Sequence, residues 1–542
     1  MRGRDQRIEA LQGIEVDVLV IGGGINGAVA AAAIASAKGK VLIVDREDFA
    51  SGVSSQSSNL VWGGIKYLES GEFGLVWKLC QSRNRLLKAY PSRVREIRFL
   101  TSIWRGFRWP VWGVWLGALA YWVIGGGRMA PPGKLGVADI AREEPIIRTE
   151  PVRGGLVYSD AYLVDNDARF VFDFILTAQA RGGLAANYVA VNKIDALDRD
   201  GGWRVLLEDR VSGRVFPVTA RAIVNAAGPQ VDALNARAGR ATRHHHVFSK
   251  GIHLIVNRLT ETPHVLTFFA SDGRLFFVIP MGDKTCLGTT DTRVDAPDVA
   301  VSPEDREFVL RNVNARLNLE RPLTEADIIA ERVGVRPLAV VSEHDGGNWL
   351  QLSRRHHIDH DAKGRYLSIF GGKLTDCLNI GEEVVRTLQE SGLPVGWLSS
   401  WYGEDSAPER AQLMAACAKI GLNERPLRRE ACQAAERLWR LYGRDALGIV
   451  ESIAQDPSQG EPVLACADIT HAELSLIAER EMIVTLDDLL RRRTLLSLTT
   501  PLATLQADPG LDLLCDRLFG LEGPAVAQAF RDGNARFRPN VG

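Results

Sequence analysis

Ten residues near the amino terminus, Val18-Leu-Val-Ile-Gly-Gly-Gly-Ile-Asn-Gly27, can satisfy both backbone and side chains in very few ways. The apolar run Val18 to Ile21 reads as a buried parallel strand. Gly22, Gly24 and Gly27 then fall at the Gly-x-Gly-x-x-Gly spacing. The first permits a tight turn, the second lets the backbone approach a pyrophosphate, and the third lets the Ala-rich helix Ala28 to Ala37 lie close on the sheet. The amino terminus of that helix faces the phosphates. A second apolar strand, Lys40-Val-Leu-Ile-Val-Asp45, ends roughly 20 residues on in a carboxylate that accepts hydrogen bonds from ribose hydroxyls and disfavours a 2′-phosphate. Together these segments form a dinucleotide-binding βαβ opening.

A chain of 542 residues with 46% hydrophobic content is too long for one core and too apolar for disorder, so two or three domains are expected. A net charge of −1 argues against a general nucleic-acid binder. The seven cysteines are scattered and form no Cys-x-x-Cys pair, which suits a reducing compartment and points to no zinc site. His244-His-His246 reads as a solvated loop, because adjacent side chains diverge; no metal is expected. The first residues lead into the opening strand without an apolar stretch, so no secretory signal is read and a cytoplasmic catalytic domain is expected.

One region departs from this profile. Trp109 to Gly127 holds no charged residue and carries four tryptophans, with Trp104, Arg105, Arg108 and Arg128 close by. Pro110 and the glycines argue against a spanning helix. Tryptophan with flanking arginine suits the headgroup level, so a monotopic membrane contact over about 104–128 is expected. A buried aromatic helix and a contact within a homodimer are the alternatives.

Further along, Ser51 to Asn59 reads as a polar loop, and Leu75 to Tyr90 and Asp165 to Ala180 as helices. Asn187 to Val191 reads as a returning strand, and Trp203 to Leu207 with Val215 to Thr219 as a hairpin. Ala222 to Pro229 reads as another buried strand, and residues 247–291 as a second, antiparallel sheet. From about Ser399 the composition turns helical. The fold class is therefore α/β: a Rossmann-like FAD-binding domain, an antiparallel-sheet substrate domain and an α-helical C-terminal domain. The first two interleave over 1–395 and the last covers 396–542. FAD is favoured over a nicotinamide because later segments return to the nucleotide. Asn225-Ala-Ala-Gly228 has the small residues needed beside it, and Gly371-Gly-Lys-Leu-Thr375 opens a helix whose positive end suits the anionic reduced flavin.

Six strings in order carry a resemblance: Ser54 to Glu69, Val224 to Pro229, Lys250-Gly-Ile-His253, Gly288-Thr-Thr-Asp291, Gly334-Val-Arg-Pro-Leu338 and Phe370 to Thr375. Over about residues 15–395 the chain resembles the FAD-dependent, respiratory glycerol-3-phosphate dehydrogenases. Asp487-Asp-Leu-Leu-Arg-Arg-Arg-Thr494 looks like that family's helical carboxy-terminal domain. The resemblance implies oxidation of a small phosphorylated polyol, sn-glycerol 3-phosphate, to dihydroxyacetone phosphate. Electrons would pass through FAD to membrane quinone, in an enzyme attached peripherally to the cytoplasmic membrane.

By the same resemblance His253, Arg336 and Lys373 are catalytic, with His253 the base because imidazole titrates near neutrality. Lys66, Tyr67, Arg336 and Arg354 bind substrate. FAD is held by Gly22, Gly24, Gly27, Asp45, Ser54, Ser55, Ser58, Val189, Ala227, Gly228, Gly372, Lys373, Leu374 and Thr375. The chain departs from the family at Trp62 and Lys66, where His and Arg are usual, and at Asp376-Cys-Leu378, where Thr, Tyr and Arg are more frequent. Lys66 keeps the charge without the planar fork, and an inward Asp376 would oppose an anion. These departures keep open a relative that oxidises another small hydroxylated or amino substrate, or a flavin-bearing membrane protein without turnover.

Overall fold

The computed structural model describes residues 2–197, 202–270, 274–341, 355–361, 363–428 and 432–537. At its centre the strand Glu15–Ile21 lies parallel between Val41–Val44 and Val215–Asn225. Leu184–Ala186 extends this sheet on one side, and Tyr366–Phe370 with His357–Asp361 on the other. The helix Ile25–Ser36 is apolar on every face and is accordingly buried, packed against the helices Asp167–Ala180 and Cys377–Glu390. Its alanines let three helices and a sheet meet closely.

The hairpin arm and the buried strand read separately from the sequence are one strand, Val215–Asn225. Residues 215–220 pair antiparallel with Gly202–Asp209, and residues 219–225 pair parallel with the opening strand. Arg221 interrupts the apolar run only because its side chain points outward, toward Asp17.

Among the described residues the second sheet has ten strands, with His245–Asn257 between Ala330–Val340 and Lys284–Gly288. It reaches well beyond residues 247–291. Val94–Trp104 and Val152–Leu163 pair antiparallel and join it through Val265–Phe269. The charges of Arg95, Glu96 and Arg98 mask the first of these strands in the sequence. The tryptophan segment is thus an excursion between two paired strands, and its helix Val111–Ile124 is tied back by a buried cluster. Tyr121 donates to Asp160 (2.6 Å), and Arg83 pairs with the same carboxylate (3.1 Å). The His244–His246 run is not a loop: His245 and His246 open the central strand, where the pleat sends neighbours to opposite faces. From Ala407 onward the chain is helical and builds two apolar clusters of its own.

Candidate active site

Only glycine fits the turn after the first strand. Gly22 has φ +105°, and a Cβ there would lie 2.5 Å from the Ala226 carbonyl oxygen; one at Gly27 would lie 1.8 Å from the Gly22 oxygen. The Ser54 hydroxyl accepts from the Ile25 amide (2.9 Å), so the polar loop caps the helix start beside Gly24. Asp45 accepts from the amides of Gly23 (2.6 Å) and Glu47 (2.9 Å). Burial pushes its carboxyl up to about 6, so it is ionised at neutrality and keeps lone pairs for hydroxyl donors.

A cavity of about 480 Å³ runs along this turn. Gly22, Gly24, Asp45, Ser54, Val189, Ala227, Gly228, Gly372 and Leu374 line it, as does Pro337. Gly27 contributes the close helix packing instead. Ser55 closes its own turn on the Gly52 carbonyl (3.2 Å). Ser58, Lys373 and Thr375 also lie off the lining. Asn26 donates to the Gly371 carbonyl (3.0 Å), while its buried Oδ1 has no partner among the described residues. A turn that only glycine can make, a carboxylate and an amide oxygen unsatisfied among the described residues fit a bound dinucleotide.

Beside Leu374 and on the second sheet lie several of the side chains expected at the site. The Lys373 ammonium donates to the Tyr67 hydroxyl (2.6 Å) and sits 4.1 Å from its ring centre. Thr375 donates to the Trp62 carbonyl (3.3 Å), and Trp62 packs between Tyr67 and Phe277. Phe277, Gly288, His253 and Arg332 are successive cross-strand partners, so the pleat places them on one face. A Cβ on Gly288 would lie 2.7 Å from the His253 ring. Burial, then the guanidiniums of Arg332 and Arg336, lower His253 to about 3. Its imidazole is therefore neutral at physiological pH, and the expectation that it titrates near neutrality does not hold.

Arg336 lies over Gly251, where a Cβ would come within 2.4 Å of the guanidinium. It donates to Thr289 (3.0 Å) and Asp291 (3.3 Å). Lys66 is exposed on the turn Ile65–Leu68, and Arg354 lies outside the described residues. Asp376 does not oppose an anion. It is buried against His356 (2.6 Å), whose other nitrogen meets Glu383 (3.0 Å), and both carboxylates raise the imidazole against its burial.

Sequence reasoning missed two supports. His246 accepts from the Gly371 amide (3.2 Å) at Nε2 and so donates from Nδ1 to Asp232 (2.9 Å), holding the glycine turn. Arg332 is buried, donates to the Ser57 carbonyl (2.6 Å), and leaves Nε and Nη2 without partners among the described residues. Its period-two spacing with Gly334 and Arg336 was the available signal.

The excursion presents an apolar surface. Trp112 (61% exposed), Leu116 and Val123 project from the helix Val111–Ile124, beside Phe73 and Trp77 (58%) on the helix Phe73–Ala89. Trp115 and Trp122 turn inward and donate to the carbonyls of Pro132 (3.2 Å) and Met129 (2.7 Å). Among the described residues no helix is long and apolar enough to cross a membrane.

Fold and cavity together define a dinucleotide-dependent oxidoreductase. The profile described as FAD dependent oxidoreductase matches residues 17–368, and that of the C-terminal domain of alpha-glycerophosphate oxidase matches residues 403–520. The chain is 30% identical to a glycerol-3-phosphate dehydrogenase of Synechocystis sp. over 90% of both chains. It is 30% identical to one of Pseudomonas aeruginosa, over 89% of this chain and 92% of that one. The crystal structure of the glycerol-3-phosphate dehydrogenase from Bacillus halodurans complexed with FAD superposes with a TM-score of 0.73 at 25% identity, covering 98% and 96% of the two chains. The chain belongs to the FAD-dependent glycerol-3-phosphate dehydrogenase family.

Proposed function

We propose that this protein oxidises sn-glycerol 3-phosphate to dihydroxyacetone phosphate and passes the electrons to membrane quinone. The observation that carries the reading is one continuous arrangement. Gly371, Gly372 and Leu374 line the glycine-rich cavity, Lys373 between them pairs with Tyr67, and Trp62 links Tyr67 to Phe277 on the strand face that also carries His253 and Arg332. FAD, held by Gly22, Gly24, Asp45, Ser54, Ala227, Gly228 and Gly372, supplies a hydride acceptor. Arg336, with Lys66 and Arg354 as further candidates, receives the phosphate through charge-assisted hydrogen bonds. His253 accepts the hydroxyl proton on its neutral ring, and a phosphate dianion beside Arg336 offsets the charge that depresses it. Lys373, held by Tyr67, steadies the developing oxyanion. Trp62 and Phe277 wall the site from water.

Phe73, Trp77, Trp112, Leu116 and Val123 support peripheral attachment to the cytoplasmic membrane, where quinone is found. The test is anaerobic: sn-glycerol 3-phosphate should bleach the visible absorption of the purified flavoprotein, whereas glycerol and small amino acids should not. A flavin that stays oxidised at every concentration of the phosphate ester, or that amino acids bleach, overturns the assignment.

A further inference from the structure

We infer that the carboxy-terminal segment Asp487 to Thr494 is part of the FAD site, with Arg492 and Arg493 as positioning residues that clamp the adenosine end through Asp48. The inference rests on the FAD reading above. Asp48 lies just past Asp45 and is wholly buried. Its carboxylate accepts from Arg492 Nε (2.7 Å), from both Arg493 terminal nitrogens (2.8 and 2.9 Å), and from Asn187 (2.8 Å). The two guanidiniums hold that carboxyl below its usual range despite its burial. A lone buried carboxylate would not keep its charge there, so the 45–50 loop depends on cations from the far end of the chain.

The contacts continue to the cavity wall. The Arg493 guanidinium lies 3.7 Å from the Phe172 ring centre, and Phe172 packs on Phe49. Phe49 occupies the space that a side chain at Gly23 would take, 2.2 Å from its Cβ position. Gly23 in turn donates to Asp45 and accepts from the Ala50 amide (2.9 Å). On the other wall the Tyr188 hydroxyl donates to Asp488 (2.7 Å), while the amides of Tyr188 and Val189 donate to the carbonyls of Glu47 (2.9 Å) and Asp45 (2.7 Å). Both strand ends that flank the nucleotide thus lean on one carboxy-terminal turn.

The winding of that turn makes this geometry available. The Thr494 amide donates to the Leu489 carbonyl, five residues back (2.9 Å), a wide π-type turn. It directs Arg492 and Arg493 together onto Asp48, while Arg491 reaches Gln56 (2.8 Å) on the polar loop. Asn166 fixes the turn by donating to the carbonyls of Arg491 (2.7 Å) and Thr494 (2.8 Å).

The test measures FAD released on dilution of full-length holoprotein, by flavin fluorescence, and the rise in melting temperature on adding FAD. Arg493→Met should weaken FAD retention by about tenfold or more, and Tyr188→Phe, which removes one hydroxyl, by about two- to fivefold. The increment in melting temperature should shrink in parallel. Arg437→Met breaks a different buried pair of the same helical region, Arg437 with Glu473 (2.8 Å), and should lower stability while leaving FAD retention within about twofold of the parent. Equal losses in Arg493→Met and Arg437→Met, or parental retention in Arg493→Met, overturn the clamp. If Arg493→Met does not fold, parental retention in Tyr188→Phe overturns it. A parent protein that carries no FAD overturns the reading beneath it instead.

Discussion

His253 stands among guanidiniums on a buried strand face, and this decides its charge. A folded value of about 3 keeps the ring neutral above that pH, whereas the unfolded chain takes up the proton below about 6.5. The unfolded state therefore binds more protons below 6.5, and this group's contribution to stability, present above 6.5, is lost as pH falls. The ring resonances of histidine-labelled protein, with His253 assigned by its absence in His253→Gln, should hold steady from pH 8 to about pH 5. A midpoint near 6.5 would show ordinary solvation. The same substitution should lower kcat by about 10²–10⁴-fold, the usual contribution of a proton-transfer group. Arg336→Lys should cost about 1.5–3 kcal/mol in flavin reduction by the phosphorylated substrate, the scale of one charge-assisted hydrogen bond. An uncharged alcohol should be nearly indifferent. Equal losses for both substrates would indicate structural damage rather than a lost phosphate contact.

The helix Val111–Ile124 was legible as an unusual element but not as an oriented one. Its composition announces an apolar surface. Which tryptophans form that surface depends on how Tyr121, Arg83 and Asp160 fasten the helix to the sheet. Trp77→Ser with Trp112→Ser should therefore move the protein from the membrane to the soluble fraction, with FAD retained. Trp122→Ser should lower thermal stability and leave partitioning unchanged, since its indole is folded onto the Met129 carbonyl. Fractionation of the two variants separates membrane docking from burial: equal partitioning of all variants and parent would assign the tryptophans to another contact. The nucleotide turn was the opposite case. Its glycines, strand and carboxylate all sit within thirty residues of Val18 and obey local steric rules, so their places in the structure follow directly from the chain.

At the scale of the molecule, the helical region is joined to the nucleotide-binding layers by buried charge. Arg169, on the helix Asp167–Ala180, donates to Glu481 (2.5 Å) and to the Leu441 carbonyl (2.6 Å), and both ion-pair partners are buried. Arg169→Met leaves Glu481 without its cation and should cost about 3–5 kcal/mol. Calorimetry should then resolve two transitions where the parent shows one, because the helices beyond Ala407 have apolar clusters of their own. A single transition with unchanged midpoint would show that the joint carries little energy.

The chain by itself determined the dinucleotide turn, the return of later segments to it, the helical carboxy-terminal region and the family, because each rests on short-range sterics or on strings of residues in order. Only the tertiary structure decided the rest. It showed that Asp376 is paired with His356, that His246 supports a glycine turn, that burial and then Arg332 depress His253, and that Arg492 and Arg493 reach Asp48. In every one of those cases the deciding partner lies across a sheet, or up to hundreds of residues away, and the charge or exposure of a side chain is set by what packs against it rather than by its neighbours in sequence.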